Sequence, residues 1–176
     1  MKKMQFSKEL ELNLKNIDNK KIRDVLKLLL NLKKKNKVII AGNGGSASIS
    51  SHVAIDLTKA AGIRAINFNE PNLLTCFSND YGYKNWLKKA LEFYSLPGDI
   101  LILISSSGKS ENIINAANIS KKLGMNLITL SGFSKTNNLL NKGLINFHVP
   151  SYNYNVVESI HLIILLQIAE NLIDKK

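Results

Sequence analysis

The most specific chemical signal in this chain is the run Ser105-Ser106-Ser107-Gly108-Lys109-Ser110, four hydroxyls around one glycine. It follows an apolar run at 100–104 and precedes a helical stretch, so it falls at the carboxyl end of a strand and the start of a helix. Open parallel sheets bind ligands at that edge. Hydroxyls together with the unpaired N–H groups of a first helical turn can satisfy phosphate oxygens without an arginine. A serine-rich turn with a helix cap would leave the same trace, and a second stretch lowers the weight of that alternative. Val38, Ile39 and Ile40 read as a buried strand, Gly42-Asn43-Gly44-Gly45 as a turn with almost no side-chain bulk, and a helix follows from Ser46 to about 59. Two such loops converging on one place make a pocket for a phosphate and the body that carries it. Neither has the Gly-Lys-Ser/Thr ending of a Walker loop at its required spacing, and the first lacks the third glycine of a dinucleotide fingerprint.

The elements that must position these loops follow from periodicity. A modest helical pattern covers 7–17, and a stronger one covers 20–35, where Ile22, Val25, Leu26, Leu29, Leu30 and Leu32 recur at three- and four-residue spacing. That face must cover the sheet, pack against another subunit, or both. Further strands are expected at 64–68, 100–104, 126–130 and 144–149, with helices at 71–78, 83–94, 110–123, 136–141 and 156–175. Asn79-Asp80-Tyr81-Gly82 and Pro97-Gly98-Asp99 read as turns, the latter because proline presets one dihedral and glycine takes the next. Strands alternating with helices imply a parallel sheet with right-handed crossovers. The expectation is one domain over 1–176: N-terminal helices at 1–36 for oligomer contact, an α/β core at 37–150 built as a three-layer sandwich, and a closing helix at 151–176.

Composition bounds the function. A length of 176 residues suits one domain with a proper core. The longest uninterrupted aliphatic run, Leu162 to Leu166, is too short to cross a bilayer, and no apolar signal core follows Met1-Lys2-Lys3. Cys76 is the only cysteine, which excludes an intrachain disulfide and suits a reducing cytoplasm. The formal net charge of +11 invites a nucleic-acid reading, but Arg23 and Arg64 are the only arginines. Arginine is the side chain that specific phosphate and base contacts favour. The expectation is a solvated lysine surface that steers anionic substrates, with neither nucleic acid nor membrane as partner.

Five stretches, taken in order, resemble one family: Ala41-Gly42-Asn43-Gly44-Gly45-Ser46-Ala47, His52, Ser78-Asn79-Asp80-Tyr81-Gly82-Tyr83, Pro97-Gly98-Asp99 and the serine loop. They resemble the sugar isomerase (SIS) domain, in its phosphoheptose isomerase branch, across nearly the whole chain. The resemblance implies a flavodoxin-like sheet of five parallel strands and conversion of sedoheptulose 7-phosphate to a manno-heptose 7-phosphate. It makes Ser105, Ser107 and Ser110 the phosphate cradle with Ser106 beside it. It places Asn43, Gly44 and Ser46 along the sugar and Asp80 on its hydroxyls. It also implies a homotetramer whose active sites a neighbouring subunit completes.

The catalytic positions depart from the family. Its His and Glu, one helical turn apart, match His52 and Asp56 here. Its Gln and, two turns on, its His match Glu158 and Leu166. In members with zinc these four residues are the ligands. Leucine cannot ligate, so no metal is assigned, although His52, Asp56 and Glu158 retain three donors and catalytic zinc needs only three protein ligands plus water. Asp56 draws its carboxylate back by one methylene. Glu158 introduces a carboxylate where the family has an amide, with His161 three residues on along the same helix. The expected assignment is Glu158 as base, with His161, His52 or Asp56 assisting. Against it, His161 reads equally as a hydrogen-bonded core histidine, Glu158 as a complement to a helix dipole, and His148 as structural. The rival function, drawn from the missing histidine at Leu166, is a non-catalytic phosphosugar-binding or adaptor protein of the replication-initiator-binding type.

Overall fold

The computed structural model describes residues 2–173, with side chains from residue 5 onward. Two leading helices, α1 (Lys2–Lys15) and α2 (Asn19–Leu30), precede β1 (Val38–Gly42) and α3 (Gly45–Lys59). Then come β2 (Ala65–Ile66), α4 (Pro71–Tyr81), α5 (Trp86–Tyr94), β3 (Ile100–Ser105), α6 (Glu111–Ser120), β4 (Asn126–Gly132), β5 (Ile145–Val149) and α7 (Tyr154–Ile173). The five strands form one parallel sheet in the order β2-β1-β3-β4-β5.

Alternation along the central strands builds two cores. Ile100, Ile102 and Ile104 of β3 face one side with Val38 and Ile40, under α2, α3 and α7. Leu101 and Leu103 face the other side with Ile39 and Ala41, under α5 and α6. Both faces are covered, which is why β1 and β3 read as continuous apolar runs instead of alternating ones. The strand order reverses between β1 and β3: β2 lies outward of β1, and the chain then returns to place β3 on β1's other side. Such a switch point opens a crevice at the carboxyl ends of the strands. The loops after β1 and after β3 are its two lips.

Several boundaries differ from expectation. The stretch 136–141 is a series of turns, not a helix. The Asn137 side-chain oxygen accepts from the backbone N–H groups of Leu139 and Leu140, and its amide donates to the Gly132 and Ser134 carbonyls. Local side-chain bonding of this kind competes with helix formation. Asn79, Asp80 and Tyr81 belong to α4, which runs on until Gly82 takes φ 76° and ends it. β2 keeps two residues of the five expected, and the predicted end of α7 at 175 lies outside the described residues. By length and composition α7 is apolar enough to cross a membrane. Its apolarity serves packing instead: Val157, Ile160, Ile164, Leu165 and Ile168 are buried among α3, α1 and the sheet.

At the opposite edge of the sheet, Asp99 starts β3 and is fully buried (0% exposed). It receives the Lys37 ammonium at 2.7 Å, the Asn36 amide at 2.9 Å and the backbone N–H groups of Lys37 and Leu96. The turn that Pro97-Gly98-Asp99 foretold thus doubles as the clasp between the starts of β1 and β3.

Candidate active site at the sheet's switch point

The serine loop is built as the sequence implied. Gly108 takes φ 64°, and a methyl group there would run into the Asn137 side chain, so glycine is required on both counts. The Ser105 hydroxyl bonds to that of Ser110 at 3.2 Å, and the Ser107 hydroxyl accepts from the Lys109 N–H at 3.3 Å. Ser110 is the N-cap of α6, yet its side chain makes no capping bond. The first N–H groups of α6 are therefore left for another acceptor, and the helix dipole favours an anionic one. The Ser106 side chain turns inward, where its hydroxyl is buried with no partner among the described residues, while its carbonyl accepts from the Gly132 N–H and ties the loop to β4. Ser106 supports the cradle from beneath.

The first loop shows close approach. A Cβ on Gly42 would lie 2.8 Å from the Ser46 backbone, so the strand end and the helix start can pack only with glycine there. Gly44 takes φ 56° with open space where a side chain would point. Ser46 is buried, so its side chain supports the loop floor and does not line an open wall. Gly45 opens α3, and its α-carbon faces the Glu158 side chain so closely that a Cβ would sit 2.8 Å from the carboxyl carbon.

Glu158 therefore stands at the N-terminus of α3, beside the glycine loop. Among the described residues it has no hydrogen-bond or ion-pair partner. Burial pushes its carboxyl above the ordinary range. His161 is different. Its ring is completely buried (0% exposed), with Nε2 3.1 Å from the Ser131 carbonyl. A carbonyl can only accept, so Nε2 carries a proton. Burial lowers its pKa to about 4. His161 is a core histidine out of reach of a substrate, and the expectation that it assists Glu158 is corrected. Of the two readings the sequence left open, the core histidine holds; one apolar helix face reads alike whether a histidine on it points to a cleft or to a strand.

His52 and Asp56 do come together, with Nε2 3.2 Å from Oδ2, on a largely exposed face of α3. They lie seven and eleven residues beyond Gly45, roughly 10–16 Å along the helix. Leu166 packs against the apolar core. Among the described residues no three His, Cys, Asp or Glu side chains gather to hold a metal. Within one chain the donor set of His52, Asp56 and Glu158 does not fit a zinc site. The Nε2 of His148, in β5, is buried with no hydrogen-bond partner among the described residues.

Asp80 is exposed on α4, bonded to the neighbouring Asn79 amide at 3.0 Å. Two residues assigned no role from the sequence belong to the site. Asn112, in the first turn of α6, exchanges reciprocal 2.9 Å amide bonds with Asn43, and the Tyr83 hydroxyl donates to the Asn43 oxygen at 3.2 Å. The two lips of the crevice are thus bonded to each other. Only proximity in space reveals this, since Asn43 and Asn112 are 69 positions apart.

The SIS domain matches residues 5–132, and the chain belongs to the SIS-domain family. It is 35% identical over 140 residues to a phosphoheptose isomerase of Cytophaga hutchinsonii, covering 76% of this chain and 73% of the other. It is 36% identical over 151 residues to one of Aliarcobacter butzleri, covering 80% and 78%. Among solved structures, a phosphoheptose isomerase from Francisella tularensis superposes with a TM-score of 0.87 at 26% identity, over 99% of this chain and 96% of that one.

Proposed function

We propose that the protein is a sugar-phosphate isomerase that interconverts sedoheptulose 7-phosphate and a manno-heptose 7-phosphate, with Glu158 as its base. The family relationship supports the reaction. The carrying observation for the residue is a partnerless carboxylate, half-buried against Gly45, at the crevice whose other lip is the serine loop. The phosphate rests on Ser105, Ser107, Ser110 and the free N–H groups of α6. Glu158 takes the C1 proton of the ketose, leaving an enediolate, and returns that proton to C2 as the hydroxyl proton passes from O1 to O2. No electron acceptor is needed, because one carbon is oxidised as its neighbour is reduced. A carboxylate whose pKa is raised is a stronger base than an ordinary glutamate and takes the carbon-bound proton more readily.

The exposed face of α3 supports an assembly. Ile55 is 62% exposed and lies between His52 and Asp56. We read this face as a contact in a homo-oligomer, a tetramer, in which a neighbour covers the His52–Asp56 pair. Supply of heptose for a surface polysaccharide, lipopolysaccharide or capsule, from the cytoplasm is the corresponding physiological reading.

Incubation with sedoheptulose 7-phosphate in deuterium oxide tests the reaction. Deuterium should enter the carbon next to the carbonyl and the aldose should accumulate. Binding without any exchange would replace the isomerase with a phosphosugar-binding protein, the reading that Leu166 favours. Because the donor set does not fit a metal within one chain, prior treatment with a chelator should leave the initial rate within about twofold; a tenfold loss (~1.4 kcal/mol) would assign a metal to the reaction. Gly45→Ala gives a further check. The new methyl displaces the far end of a flexible side chain, so melting should shift by only a few degrees. The carboxylate, moved by about 1 Å, should lose on the order of tenfold to a hundredfold in kcat.

A further inference from the structure

The reciprocal Asn43–Asn112 pair restricts what Asn43 can offer a ligand. Its oxygen accepts from both the Asn112 amide and the Tyr83 hydroxyl, which fills both lone pairs. Its nitrogen donates one hydrogen to the Asn112 oxygen and keeps one. The side chain therefore has a single remaining capacity, as a donor. Asn112 is 2% exposed, held in the first turn of α6 two residues after Ser110, so its amide is fixed by the helix that receives the phosphate. Tyr83 is 54% exposed, between α4 and α5, and reaches the same oxygen from the solvent side.

Building on the isomerase reading, we propose that Asn112 and Tyr83 are positioning residues that lock the Asn43 amide as a hydrogen-bond donor to the substrate oxygen on which the enediolate charge develops. A freely rotating asparagine would present its oxygen about as often as its nitrogen, and the oxygen would repel that charge. The lock removes the wrong orientation before the reaction begins, which is where preorganised donors gain their effect. It also couples the lips of the crevice, because the residue that orients the sugar-side amide is carried by the helix of the phosphate loop.

The test uses Asn112→Asp, Asn112→Ala and Tyr83→Phe in the full-length protein. Aspartate still accepts from the Asn43 nitrogen but cannot donate to its oxygen, so the amide is pushed to present its oxygen to the ligand. Asn112→Asp should lower kcat by on the order of a hundredfold, with KM changed by less than about threefold. Asn112→Ala, which frees the amide without reversing it, should lose less, and Tyr83→Phe less again. Melting temperature should not follow that order, since aspartate keeps one of the two bonds and alanine keeps none. A rate order that tracks stability, or full activity in Asn112→Asp, overturns the proposal. A binding measurement separates this from failure of the isomerase reading. The probes are a six-carbon hydroxamate 6-phosphate, whose N–C=O unit stands in for C1 and C2 of the enediolate, and the seven-carbon alditol 7-phosphate. The wild-type protein should prefer the hydroxamate by at least about tenfold, and Asn112→Asp should bind the two equally. An absent preference in the wild type overturns the donor assignment whether or not turnover is seen.

Discussion

Glu158→Gln is expected to abolish deuterium exchange, by on the order of a thousandfold or more, while sedoheptulose 7-phosphate still binds. General-base contributions run to about 10²–10⁴-fold, and among the described residues Glu158 is the carboxylate that meets Gly45. Glutamine keeps the volume beside Gly45, so the loss cannot be assigned to a cavity. Stability should hold or rise. A glutamate whose folded pKa is raised contributes most below its unfolded value and loses that contribution as pH climbs through the folded one. Near neutral pH its charge is therefore a cost that the amide removes. The same shift gives the pH profile its sign: the wild-type rate should fall on the acid side at a pH above the ordinary glutamate range, as the base becomes protonated. Exchange that survives in Glu158→Gln, with that acid limb unchanged, would move the base to Asp56 or to a neighbouring subunit.

The second large effect is structural and lies at the far edge of the sheet. Asp99→Ala should cost about 3–5 kcal/mol, because it strands the Lys37 ammonium and the Asn36 amide and unties the starts of the two central strands. For a domain of this size that corresponds to a fall in melting temperature of roughly 6–20 °C. Lys37 is 11% exposed and can turn partly to water, which favours the lower figure. Burial alone would raise the Asp99 pKa, but the Lys37 ammonium, the Asn36 amide and two backbone N–H groups prevail and hold it below 3.8. The stabilisation is therefore present above the unfolded aspartate value and is lost as pH falls below it toward the lower folded one. Thermal melts between pH 5 and pH 2 should show the wild-type protein losing its advantage over Asp99→Ala across the acid end of that range. A constant difference would mean that the aspartate acts through packing and not through its charge.

Much of this was legible in particular residues. Val38 to Ile40 and 100–104 announced two strands buried on both faces, and Ser105 to Ser110 announced a tight turn from strand to helix, because glycine and serine at such a turn satisfy local rules. Boundaries failed where a side chain intervened: Asn137 bonded the backbone that 136–141 would have used for a helix, and Gly82 ended α4 later than the preceding residues suggested. His161 and Glu158 show the limit more sharply. Three residues apart on one helix, they read as neighbours in a site, yet one points to the Ser131 carbonyl in the core and the other to Gly45 at the crevice.

The sequence by itself determined the parallel α/β class, the two loops, and the replacement of the family's amide and histidine by Glu158 and Leu166. These depend on residue type and short spacing, which the chain states directly. Only the tertiary structure decided which carboxylate faces the crevice, that His161 is core, and that Asn43 is bonded to Asn112 and Tyr83. Each of those depends on the crossover that places β1 beside β3 and brings residues far apart in the chain into contact, where burial and lone-pair saturation set their chemistry.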